Sequence, residues 1–202
     1  MSSKSLRDII RRGATKDSIF DSIFDPITRT DKYDDRSAVI VMVSILEVGL
    51  EKLLKSRMRR LKPEDADAIF SGTAPLSTLS AKIRIAHALG LIGPITRHDL
   101  ATFNDIRNVF AHTPHKVTLQ NKRLWDRVSG IHMVQSSRKE RRERALHYRL
   151  SRSEKRMTRR KELLYVLGNY ALMLSHSRHP RVKIKPYKGD FMWGKGWGTL
   201  DR

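Results

Sequence analysis

The chain has 202 residues, of which 41 are Lys or Arg and 21 are Asp or Glu, giving a net charge of +20. There is no cysteine, which excludes disulfides, thiolate zinc sites and cysteine nucleophiles and fits a reducing, cytoplasmic setting. The charge points to a polyanionic partner, nucleic acid first and an acidic protein second, while the longest apolar run, Ala38 to Leu46 interrupted by Ser44, falls far short of a membrane span.

Residues 1–33 read as a peripheral basic arm. Ser5 can cap a short helix ended by Gly13, and the tandem DSIFDSIFDPI repeats an Ile-Phe pair after four residues. The N-terminus lacks the apolar core of a secretory signal. From Asp34 a bundle domain is expected, running to residue 178. DDRSAVIVMVSILEVGLEKLLKSRMRRL has acidic residues and Ser at its start and Lys/Arg at its end, complementing a helix dipole at both ends. Val39, Val43, Leu46, Leu50, Leu53 and Leu54 form its helical stripe, and the dense apolar block before Leu46 marks a helix covered on more than one side. Glu47 and Glu51, one turn apart, can pair with Arg or Lys on a neighbouring helix, or form a solvated ladder with Lys55.

Residues 61–76 read as a Pro/Asp/Gly-containing connection. Leu79, Ile83 and Ala86 then share one face of a helix that stops at Gly90, with His87 as a partly buried polar residue. Gly93-Pro94 turns the chain into LATFNDIRNVFAH, residues 100–112, where Leu100, Phe103, Ile106 and Phe110 make a core-facing stripe. Thr96 with Asp99 reads as a weak capping box at its start. Asn104, Asn108 and His112 recur every four residues on one flank, beside Arg107. Pro114 ends the helix, so His112 lies in the last turn, where the dipole favours positive charge. Arg, Asn and His at one helix end can handle an anion, or they can be a solvated cap, with Arg107 bonded to Glu47 or Glu51. The second helix of this pair is too apolar to lie in a DNA groove as a helix-turn-helix reader would.

Residues 118–135 carry Leu124, Val128 and Ile131 at helical spacing, with Trp125 beside them and Gly130 as a weak point. Residues 138–161 form the basic segment, twelve basic against three acidic residues, holding +9 of the +20. The candidate nucleic-acid contacts are Arg138, Lys139, Arg141, Arg142, Arg144, Arg149, Arg152, Lys155, Arg156, Arg159, Arg160 and Lys161; a solvated basic face is the other reading of the run. Ser151 with Glu154 can restart a helix whose Leu163, Leu167, Tyr170 and Leu174 face the core. Residues 179–202 read as a non-helical aromatic and Gly-rich tail, with Val182 and Ile184 alternating as in an edge strand. The fold expected is all-α, an antiparallel helical bundle. No nucleophile elbow, Gly-rich phosphate loop or histidine ligand spacing beyond His112 and His115 is present, so neither metal nor cofactor is expected.

PLSTLSAKIRIAHALGLI (residues 75–92) followed by LATFNDIRNVFAH, with the acidic-Arg start and apolar helix before them, resembles the mannitol operon repressor family over residues 34–175. The resemblance implies an all-α bundle and a non-catalytic transcriptional regulator, binding nucleic acid or a regulatory partner. Arg107-Asn108 followed by His112 also has the RNxxxH form, which resembles the HEPN superfamily of helical bundles, many of them metal-independent ribonucleases acting as homodimers. That likeness implies Arg107 on the scissile phosphate, His112 moving the 2′-hydroxyl proton and Asn108 orienting it. Whether the chain is an enzyme stays open between these two resemblances.

Overall fold

In a computed structural model, residues 34–147 and 158–176 are described, with side chains over 34–143 and 158–174. Asp34 accepts the Ser37 N–H at 2.7 Å and starts helix α1, Asp35–Arg57; that bond holds its carboxyl below the usual range. The whole expected stripe of α1 is buried, and Ala38 and Met42 are buried with it, because the helix is covered by three others. These are α7 (Arg159–His176), α4 (Pro94–His112) and α3 (Leu79–Ala88). At Gly49 the backbones of α1 and α7 come close: a Cβ there would lie 3.3 Å from Leu174 Cβ. Leu163, Leu167, Tyr170 and Leu174 complete the core from the α7 side, and Leu100, Phe103, Ile106 and Phe110 complete it from α4.

Helix α3 is capped by Thr78, whose hydroxyl accepts the Ala81 N–H at 3.2 Å. It ends in a Schellman pattern, with the Leu91 N–H reaching Ala86 O and the Gly90 N–H reaching His87 O. Gly90 adopts φ +67° there, a conformation only glycine enters at no cost. His87 is half-buried and its Nδ1 bonds Ile92 O at 3.1 Å.

Among the described residues the structure is all-α, with no strand. It departs from the sequence reading in three places. The connection at 61–76 contains a helix, α2 (Pro63–Phe70), whose signals are Pro in the first turn followed by Glu64 and Asp65. The expected helix over 118–135 is broken into α5 (Lys122–Ser129) and α6 (His132–His147). The Thr96/Asp99 capping box does not form: α4 starts at Pro94 after Gly93, without a side-chain cap, and both residues are buried within the helix. The N-terminal arm, the Ser151/Glu154 box, the alternating Val182/Ile184 pair and the aromatic tail lie outside the described residues.

Candidate functional site

Three groups of polar side chains lie around the core. The first is the end of α4. Arg107 and Asn108 are half-buried neighbours, and Arg107 Nη1 donates to Asn108 Oδ1 at 3.1 Å. His112 is exposed at the last helical position. The chain beyond it is clamped by α1: Arg36 Nη2 donates to Thr113 O at 2.6 Å and His115 O at 3.0 Å, and Asp35 Oδ2 accepts the Leu119 N–H at 2.9 Å. The structure therefore puts the Arg and Asn of the motif in contact and presents His112 to solvent one turn further on. Arg107 does not bond to Glu47 or Glu51.

The partner of those two carboxylates is Lys82 on α3. Its side chain is 1% exposed, and its Nζ lies 2.7 Å from Glu47 Oε1 and 3.2 Å from Glu51 Oε2. Glu51 Oε1 also accepts from Lys55 at 2.8 Å, so the cross-helix pair and the local ladder coexist. Burial pushes the Glu51 carboxyl up, but the Lys55 hydrogen bond and charge, with Lys82 behind them, outweigh it and hold the carboxyl below its ordinary value. Glu47 and Glu51 thus hold α1 to α3 and stand apart from the motif at the end of α4.

The third group is the described part of the basic segment. Arg138 makes a two-point contact with Glu162, Nε at 3.0 Å and Nη2 at 2.8 Å, and Arg141 pairs with the same carboxylate. Arg138 also lies over the Trp125 ring, 5.5 Å from its centroid, and Arg159 lies over that ring at 5.2 Å. Arg159 Nη1 donates to Gln120 O at 2.8 Å, and Arg160 pairs with Asp35 at 3.1 Å. These four guanidinium groups join α5, α6, α7 and α1. Lys139, Arg142 and Lys161 are exposed, and a shallow groove of about 280 Å³ is lined by Gln135, Arg138, Lys139, Arg142 and Glu143. Arg144 lies in α6 without a described side chain, and Arg149, Arg152, Lys155 and Arg156 fall outside the described residues.

One further assembly carries no signal of its own in the residue pattern. Asp99 of α4 is fully buried. Its Oδ1 accepts the His132 N–H at 3.0 Å, and its Oδ2 accepts the Met133 N–H at 3.1 Å and the Tyr170 hydroxyl at 2.7 Å. It caps α6 from another helix, because the residue before α6 is the apolar Ile131.

The family described as mannitol repressor matches residues 21–164. The chain belongs to that family. A solved structure of a possible transcriptional regulator, YggD from Shigella flexneri, is similar to it at 15% identity and a TM-score of 0.59, covering 77% of this chain and 98% of that one. The MtlR–HPr complex from Escherichia coli contains a chain similar at 16% identity and a TM-score of 0.59, covering 78% and 99%. At these identities the likeness is one of fold. No curated protein matches the sequence. Among the described residues, no helix is long and apolar enough to cross a membrane.

Proposed function

We propose that the chain is a non-catalytic transcriptional regulator of the mannitol repressor family, engaging an anionic macromolecule through the basic face of α6 and the start of α7. The observation that carries the reading is the family match over residues 21–164. It is supported by a surface on which Lys139, Arg142 and Lys161 are exposed while Arg138, Arg141, Arg159 and Arg160 are held by internal contacts. The held guanidinium groups fix the backbone from which the exposed cations project, and those exposed cations are the ones that would lose counterions on phosphate binding. Among the described residues, the helix placed as a recognition helix would be, α4, turns its apolar stripe into the core and so does not support base-specific recognition. The solved relative in complex with HPr favours a protein partner, and at +20 that partner would be acidic. The test is a binding series against duplex DNA and against candidate acidic proteins over a salt gradient. On DNA, log K should fall by about 0.9 per neutralised phosphate for each tenfold rise in salt, and K139A/R142A/K161A should flatten that slope. Salt-independent binding, or an unaltered slope in that variant, would refute the role of this face.

The contact between Arg107 and Asn108, with His112 exposed at the same helix end, favours a second reading. In it the chain is an HEPN-type endoribonuclease that works as a homodimer, without a metal, by acid–base transfer. Incubation with RNA in EDTA tests it: products ending in a cyclic phosphate, lost in His112→Ala, are expected. Identical RNA patterns from both proteins would dismiss it.

A further inference from the structure

His98 and His132 are far apart in sequence but meet over the buried carboxylate of Asp99. His132 Nδ1 lies 3.0 Å from Asp99 Oδ1 and His98 Nδ1 lies 3.3 Å from the same oxygen, and the two rings meet edge to face at 5.3 Å between centroids. One ligand atom from each of the three residues lies within 4.8 Å of the others. We infer that His98, Asp99 and His132 form a binding site for a divalent transition-metal cation of the zinc type.

The hydrogen-bond count supports this. A carboxylate offers about four lone-pair positions. Asp99 faces five potential donors: the N–H groups of His132 and Met133, the Tyr170 hydroxyl and the two imidazole Nδ1 atoms. Capping α6 needs only the backbone donors, and Tyr170 uses one more position. Two imidazoles crowding one oxygen exceed what capping requires. A cation replaces that competition by accepting a lone pair from each nitrogen and from the carboxylate at once.

The spacing fits as well. With bonds of about 2.0–2.1 Å to imidazole and carboxylate, the ligand atoms of a tetrahedral zinc ion lie about 3.3 Å apart. The two nitrogen–oxygen separations are 3.0 and 3.3 Å. The Tyr170 hydroxyl and the Met133 N–H hold the carboxylate from behind, as outer partners of metal-binding carboxylates do. The histidine side chains are 58% and 45% exposed, which gives an ion a path in and leaves the fourth position to water. Imidazole donors select Zn²⁺, Co²⁺, Ni²⁺ or Cu²⁺ over Mg²⁺ and Ca²⁺. A bound ion would fasten α4 to the first turn of α6, two turns before Arg138 and Lys139.

The test is titration of the full, untagged chain with Co²⁺ followed by visible absorption, with Zn²⁺ then added as competitor. The wild type should give the intense band of a low-coordinate site at one equivalent, and Zn²⁺ should bleach it. His98→Ala and His132→Ala should each weaken binding at least tenfold, and H98A/H132A should abolish it while keeping the circular dichroism of the wild type. Zn²⁺ should raise the melting temperature of the wild type and not of H98A/H132A, a reading independent of the absorption band. Absence of the band in the wild type, or equal affinity in H98A/H132A, would overturn the site. Asp99→Asn is a weaker test, because it also uncaps α6.

Discussion

Lys82→Met tests the buried ion cluster that ties α3 to α1. It removes an ammonium that is 1% exposed and lies 2.7 Å from Glu47 and 3.2 Å from Glu51, leaving two carboxylates facing each other on α1. Breaking a buried pair by deleting one partner costs about 3–5 kcal/mol. Here Glu51 keeps Lys55 at 2.8 Å, and the Glu47 side chain retains some access to water. The cost should therefore sit at the low end, about 3 kcal/mol, or a fall in melting temperature of roughly 6–12 °C. K82M/E47Q/E51Q removes the stranded charges together with the lysine and should recover most of the loss, since replacing a whole buried ion cluster is often near neutral. Urea unfolding of both variants, with slopes compared to confirm two-state behaviour, measures the difference. A loss below about 1 kcal/mol for K82M, or a triple variant no more stable than the single, would refute the reasoning.

Tyr170→Phe removes a hydrogen bond to a buried carboxylate and should cost about 1.5–3 kcal/mol in the same assay. Gly49→Val places two methyl groups where Leu174 Cβ already stands 3.3 Å from a Cβ position, so overpacking should cost about 1–3 kcal/mol by thermal melting. The Glu51 carboxyl is held below its ordinary value of 4.5, so the stability it contributes is complete above that pH and is lost as the pH falls through the lowered value. Stability measured against pH should therefore fall on the acid side, and Glu51→Gln should flatten that limb.

The apolar stripes of α1, α3, α4 and α7 were legible because each repeats at helical spacing and each faces the same core. Helix α2 carried its own start signal, Pro63 followed by acidic residues, and is short enough to pass for a loop. The polar interior was legible only in part: Glu47 and Glu51 do pair with a cation on a neighbouring helix, but nothing in the spacing says which one. Lys82 reads from sequence as a surface residue, since lysine is almost never fully buried unless paired, and its pairing is set by the crossing of α3 on α1. Asp99 with Thr96 looks like a local cap, but the N–H groups it satisfies belong to residues 132 and 133. His98 and His132 showed no ligand spacing because their neighbourhood is created by the packing of α4 on α6. Helix α4 ends at His112, as Pro114 predicts, and of the two readings of Arg107 the one that pairs it with Glu47 or Glu51 fails, because those carboxylates pair with Lys82.

The packing of α1 against α7 has a consequence for synthesis. The helix made early in the chain finds its main cover in the one that closes the described bundle, from Leu50 on one side to Leu174 on the other. At ribosomal speeds of about 5–20 residues per second, that interval lasts about 6–25 s. During it, Val39, Leu46 and Leu50 have no native shelter on that side. Apolar surface left open on a growing chain is where aggregation starts and where chaperones bind, and here it stays open until the last helix of the described bundle is made.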